Sequence, residues 1–298
     1  MREIARILCP VDVSDVSQPA IDHTIQLARW YQASITALHV CQPISMSGAD
    51  FVPVGGVSRA VLTLDEINEA RERVLACFAS AGGSGVDVVV EDGRPANQIL
   101  ELARSLPADL IVIGTHGAGG FQHLLLGSVT EKVLRQATCP VLTVPPRVRM
   151  TSSLPFKRLL CPIDFSDSSL AALEFAFSLA QESDADLQIL HVCEWTTDDE
   201  PLTTRPIAVP EYRQLVERDI VERLAALVPE STRESCRPST RVGHGKAYRE
   251  ILGVATEESA DLIVMGVHGR NALDVMLFGS TTNQVVRRAT CPVLTLRR

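Results

Sequence analysis

The chain has 298 residues, a formal net charge of −8 at pH 7, 46% hydrophobic residues, 21% charged residues and only 4% aromatics. That length fits two domains of ordinary size, and the acidic balance argues against a nucleic-acid or anionic-membrane surface. An aliphatic core of this kind suits parallel sheets covered by helices on both faces. No basic segment precedes an apolar stretch at the start, and the apolar runs are strand-sized, so neither a signal peptide nor a membrane span is expected. The expectation is a soluble, cytoplasmic protein.

In chain order, residues 4–11 form an apolar run of strand length, and residues 17–31 set Ile21, Ile25 and Ala28 at helical spacing. Ser34–Cys41 reads as a second strand, and residues 42–62, with their Gly, Pro and Ser, as a long loop. Thr63 followed by Glu66 predicts a capping box and a helix to about Ser80. Residues 86–91 read as a third strand, 96–105 as a helix and Leu110–Gly114 as an apolar fourth strand. A helix from Ser128 to Gln136 and a strand at Val141–Val144 complete the run. Strands alternating with helices predict right-handed βαβ units and a doubly wound α/β domain, a five-stranded parallel sheet of order 3-2-1-4-5. Its switch point lies between strands 1 and 4, and ligands bind there at the carboxyl ends of the strands.

The pattern then repeats. "RILCPVDVSDVS" returns as "RLLCPIDFSDSS", "ADLIVIGTHG" as "ADLIVMGVHG" and "RQATCPVLTV" as "RRATCPVLTL". One offset relates Asp12 to Asp164, His39 to His191 and Gly114 to Gly266, so a single unit has been duplicated. The two domains are expected at 1–148 and 154–298, joined by a Pro- and Ser-rich linker at about 145–155. The fifth strands are exposed edges that need covering. They can pair with each other inside the chain, as a pseudo-dimer, or between chains, as a homodimer.

Each copy carries Gly-x2-Gly-x9-Gly-Ser after its fourth strand, with an aspartate at the end of its first. Glycine lets backbone approach a ligand closely, and a helix opening at Gly127-Ser128 offers free N–H groups and a positive dipole end to a phosphate. Ser128 and Thr130 can add hydroxyl donors. Asp12 can accept from a ribose hydroxyl, and backbone around Val40 could read an adenine edge. Tight turns alone would explain one such pair of glycines; two complete copies favour a phosphate-bearing ligand.

These motifs, with "PVDVS" and "PIDFS" on the first strands and the closing "CPVLTV", resemble the ATP-binding branch of the universal stress protein family over nearly the whole chain. The resemblance implies two Rossmann-like domains of the adenine nucleotide α-hydrolase type and an adenine nucleotide ligand. In the first copy it implies binding by Pro10, Asp12, Ser14, Val40, Gly114, His116, Gly117, Gly127, Ser128, Val129 and Thr130. In the second it implies Pro162, Asp164, Ser166, Val192, Gly266, His268, Gly269, Gly279, Ser280, Thr281 and Thr282. The implied cofactor is ATP, with Mg2+ left open. The second copy departs from the first at Thr281, Asn283, Asn271-Ala272 and Arg270.

The remaining residues carry less. Eight cysteines occur without a CxxC or zinc-like spacing and read as small buried hydrophobes, so no metal site is expected. There is no P-loop. His116 and His268 read as loop supports or phosphate contacts rather than acid–base groups, and Asp15 and Asp167 as helix caps rather than Mg2+ ligands. The leading expectation is a stress-response or signalling module in which ATP orders loops 42–62 and 193–210 and changes a surface seen by unknown protein partners. The alternatives are a slow ATPase that positions water with Asp12 or His116, and a scaffold for AMP or another small ligand.

Overall fold

The computed structural model describes residues 4–41, 62–117, 126–148, 156–194, 210–233, 236–267 and 278–297. Most of the two expected loops, the linker beyond residue 148, and His268, Gly269, Arg270 and Asn271-Ala272 lie outside these residues. The first half runs β1 (Arg6–Pro10), α1 (Gln18–Tyr31), β2 (Ser34–Cys41), α2 (Leu64–Ser80), β3 (Asp87–Asp92), α3 (Pro95–Ser105), β4 (Leu110–Gly114), α4 (Ser128–Gln136) and β5 (Val141–Val144). The second runs β6 (Arg158–Ile163), α5 (Asp167–Ser183), β7 (Asp186–Cys193), α6 (Pro210–Ala226), a one-turn α7 (Glu230–Arg233), β8 (Arg237–His244), α8 (Ala247–Glu257), β9 (Leu262–Gly266), α9 (Ser280–Arg288) and β10 (Val293–Leu296).

Each half is an α/β unit whose parallel strands follow the order 3-2-1-4-5. The two units join edge to edge into one ten-stranded mixed sheet, β3-β2-β1-β4-β5-β10-β9-β6-β7-β8. The join is antiparallel, with Leu142 opposite Leu294, Thr143 opposite Val293 and Val141 opposite Thr295. The fifth-strand edges therefore cover each other within one chain. Two buried threonines close the seam: Thr143 Oγ1 donates to the Val293 carbonyl at 3.1 Å, and Thr295 Oγ1 to the Val141 carbonyl at 3.2 Å. Helices α1 and α5 meet across it, where Tyr31 donates its hydroxyl to Glu182 at 3.2 Å.

Local chemistry explains the elements. The repeated "ADL" supplies a brace, because Asp109 Oδ2 accepts from the N–H groups of Ala5 and Arg6, and Asp261 accepts from those of Lys157 and Arg158. Each aspartate fixes the start of its first strand against the fourth. The two first helices begin differently. Ser166 caps α5 by accepting from Ser169 N–H, whereas a 3-10 turn at Asp15–Ser17 precedes α1. Pro19 is the cause: it has no N–H to give to residue 15, so the regular helix starts where proline falls in its first turn. Ser166 is thus the cap of α5, while Ser14 and Ser17 make no side-chain cap; Asp15 opens the 3-10 turn, and Asp167 lies in the first turn of α5, where the helix dipole favours a carboxylate.

The capping box predicted for α2 is present: Thr63 Oγ1 accepts from Glu66 N–H at 3.3 Å, and the Glu66 carboxylate accepts from Thr63 N–H at 2.8 Å. Thr63→Ala is expected to cost about 1 kcal/mol, read as a lower denaturant midpoint at an unchanged slope.

Cys9, Cys161 and Cys291 are buried. Burial pushes the thiols of Cys9 and Cys291 up to about 12. A thiol raised in the folded state stabilises fully below the unfolded value, about 8.5. Above that pH the unfolded chain loses protons first, so this stabilisation falls as pH rises toward 12. Alkylation at pH 8 is expected to spare Cys9 and Cys291 in the folded protein and to modify them after denaturation, read by peptide mass spectrometry.

Candidate functional site

The sequence-predicted residues of the first half gather at the carboxyl end of its sheet. Pro10 ends β1, Val40 lies at the end of the neighbouring β2, and Gly114 ends β4 on the other side of β1. Val11 N–H donates to the Leu38 carbonyl at 2.9 Å, which carries the β1–β2 ladder up to the aspartate. Asp12 then sits in a tight turn. Its Oδ1 accepts from Ser14 N–H at 3.2 Å, from Ser14 Oγ at 2.6 Å, and from Ser17 Oγ. Val13, between Asp12 and Ser14, holds a φ of +60°, a left-handed conformation that a β-branched residue seldom adopts. The hydrogen-bonded aspartate over-determines the turn and holds that strain.

Thr115, His116 and Gly117 follow β4. Thr115 N–H donates to the Val144 carbonyl, and Thr115 Oγ1 lies 2.9 Å from His116 Nδ1. A Cβ added at Gly117 would stand 2.9 Å from Asp12 Oδ2, so the missing side chain brings the glycine turn against the carboxylate. The chain returns at Gly127, whose N–H donates to the Thr115 carbonyl at 2.9 Å, and α4 begins at Ser128. No side chain caps this helix among the described residues. The N–H groups of its first turn, at Ser128, Val129 and Thr130, therefore face the crevice end of the sheet as donors for an anion. Ser128 is exposed and Val129 half-buried. The Thr130 hydroxyl, expected as a donor to the ligand, is buried and donates to the Gly114 carbonyl at 2.7 Å, tying the helix to β4.

The second half repeats this arrangement with Pro162, Asp164, Ser166, Val192, Gly266, Gly279, Ser280, Thr281 and Thr282 at the equivalent places. Asp164 Oδ1 accepts from Ser166 N–H at 3.0 Å and Ser166 Oγ at 2.6 Å. Phe165 has a φ of +61°, Gly279 N–H donates to the Val267 carbonyl at 3.0 Å, and Thr282 Oγ1 donates to the Gly266 carbonyl at 3.0 Å. The halves also differ. Asp12 is exposed and Asp164 is half-buried. The first turn of α4 contains Glu131, held at 2.8 Å by Arg135, whereas the first turn of α9 has no acidic residue. Among the described residues no group of three or more His, Cys, Asp or Glu could hold a metal ion. No described helix is long and apolar enough to cross a membrane.

Several contributors to this geometry were not singled out from sequence. Ser17 completes the Asp12 turn. His39 and His191 place Nδ1 3.0 Å and 2.7 Å from the carbonyls of Val11 and Ile163, joining the second strand to the first just before each aspartate. The shared offset of the two histidines was the available signal.

Comparison with known proteins agrees with the duplication. The model of the "Universal stress protein family" matches residues 3–145 and again 155–297. A universal stress protein of Mycolicibacterium smegmatis is 29% identical over 302 residues, covering 98% of this chain and 96% of its own. One from Methanocaldococcus jannaschii is 38% identical over 141 residues, covering 47% of this chain and 81% of its own. The crystal structure of a universal stress protein from Archaeoglobus fulgidus aligns with a TM-score of 0.66 at 24% identity, covering 100% of this chain and 97% of that one.

Proposed function

The chain belongs to the universal stress protein family as a tandem member, and on that premise we propose that each half binds one adenine nucleotide, ATP, and that occupancy alters a surface read by protein partners. The two units of this reading are 1–148 and 154–298, with the linker at about 145–155. The observation that carries it is the joint built by Gly117, Asp12 and the uncapped start of α4. A carboxylate fixed by serine hydroxyls stands beside a glycine turn where an added Cβ would come within 2.9 Å of it, and a helix N-terminus closes the same end of the sheet.

In this reading Asp12 and Asp164 accept from ribose hydroxyls. Backbone at Val40 and Val192 meets the adenine edge. Gly117, Gly127, Ser128 and Val129 surround the phosphates in the first half. Gly279, Ser280 and Thr281 do so in the second, together with His268 and Gly269 from outside the described residues. Pro10 and Pro162 shape the strand ends, Ser14 and Ser166 hold the aspartates, and Thr130 and Thr282 anchor the helices. His116, beside Thr115, supports the turn. The phosphates supply the negative charge that the helix starts attract, and any accompanying Mg2+ would bind to them.

A thermal-shift series tests this directly. ATP at a hundredfold excess over its dissociation constant is expected to add about 2.7 kcal/mol per site, with a clear rise in Tm, while GTP gives none because its base edge presents the opposite donors and acceptors. Equal shifts with ATP and GTP would remove the base-reading role of β2, and no shift with ATP would remove the ligand.

A further inference from the structure

The second half contains a stack with no counterpart among the described residues of the first. Arg223, on α6, places its guanidinium carbon 3.9 Å from the centre of the Phe165 ring. Phe165 in turn packs on His191, with ring centroids 4.9 Å apart and planes tilted by 40°. His191 is buried and its Nδ1 lies 2.7 Å from the Ile163 carbonyl. Phe165 is the left-handed residue between Asp164 and Ser166, and His191 immediately precedes Val192. The stack therefore joins the two segments that hold the sugar and the base in the proposed function, and packs on the residue that carries the strained turn.

The first half has Val13, His39 and Cys77 at the corresponding places, Cys77 being the fourteenth residue of α2 as Arg223 is of α6. It has a left-handed residue at the same place, with neither ring nor cation at the two matching positions among the described residues. A cation over an aromatic face is attracted by the ring quadrupole, at about 0.5–1 kcal/mol for an exposed guanidinium, and strain at a turn persists only where its surroundings enforce it.

We propose that Arg223 is a positioning residue of the second site: it presses Phe165 onto His191, fixes the Asp164 turn, and makes the second half the more ribose-selective of the two nucleotide sites. This rests on the nucleotide reading above. Arg223 touches no ligand; it acts through the two rings and the turn.

The test uses the full chain with the first site blocked by Gly117→Val, and titrates ATP and 2′-deoxy-ATP into this background and into Arg223→Ala, Arg223→Lys and Phe165→Leu made on it. Arg223→Ala is expected to weaken ATP about threefold to fivefold with little change for 2′-deoxy-ATP, so that discrimination between them collapses, and Arg223→Lys is expected to restore most of it. Phe165→Leu removes the ring under the cation, gives the same loss of discrimination, and serves should Arg223→Ala fail to fold. Equal weakening of both nucleotides without rescue by lysine, or unchanged affinities, would overturn the proposal while leaving nucleotide binding intact. Failure of the unmodified chain to bind ATP would overturn the functional reading itself.

Discussion

Gly117→Val is expected to abolish nucleotide binding in the first half and leave the second half able to bind. The Cβ alone would stand 2.9 Å from Asp12 Oδ2, closer than side chains pack, and valine adds two methyl groups beyond it. The carboxylate cannot simply turn away, because Oδ1 is already engaged by the Ser14 N–H and the Ser14 and Ser17 hydroxyls. Either those bonds break or the glycine turn moves off the sheet end. Hydrogen bonds to a charged group are worth about 1.5–3 kcal/mol each, so first-site affinity should fall by about a hundredfold or more. Gly117 is itself exposed, so where the turn moves rather than the Asp12 bonds breaking, stability should change little. Calorimetric titration against the unmodified chain would show half the stoichiometry at unchanged affinity for the remaining site. Retention of both sites would mean that the ligand does not lie beside Asp12.

Gly266→Ala should behave in the opposite way and act on stability first. A Cβ there would meet the backbone carbon and oxygen of Ser168 at 2.8 Å and its Oγ at 2.7 Å. These atoms belong to the first turn of α5, which cannot shift without breaking the Ser166 cap. At the equivalent Gly114 the nearest atom is the His116 carbonyl oxygen at 3.3 Å and the helix backbone is farther off, with the Val16 oxygen at 3.7 Å. Overpacking against rigid backbone is expected to cost about 3 kcal/mol at Gly266 and about 1 kcal/mol at Gly114. Denaturant unfolding of the two single variants would measure the contrast, and equal costs would mean that the α5 start yields where its hydrogen bonds indicate it should not.

The difference between these two glycines marks how far the sequence could be read. Periodicity, turn residues and the internal repeat gave the main elements, the strand order and the duplicated glycine–aspartate motifs, because each is written in local chemistry: the strands as unbroken Val, Ile and Leu, the α2 start as Thr63 and Glu66. The sequence left the partner of the fifth strands open, since an exposed β-edge pairs equally well within a chain or between chains; the antiparallel match of Leu142 with Leu294 resolves it within the chain. Nor does the sequence show that the Thr130 hydroxyl, which it offers as a ligand donor, is buried and bonded to the Gly114 carbonyl. What a residue type offers can be read locally, but which neighbour claims it depends on tertiary distances. The left-handed turns at Val13 and Phe165 were hidden for a related reason: neither residue favours that conformation, and the aspartate and serine bonds that impose it become visible only in three dimensions.

The most direct test of nucleotide binding is to denature the freshly purified full chain, identify any released nucleotide by chromatography, and then titrate the emptied, refolded protein with ATP. The expected result is saturation at one adenine nucleotide per half, with the first of these lost in Gly117→Val. A chain that releases no nucleotide and takes up no ATP on titration would contradict it, and would leave the duplicated glycine turns as a scaffold without its ligand.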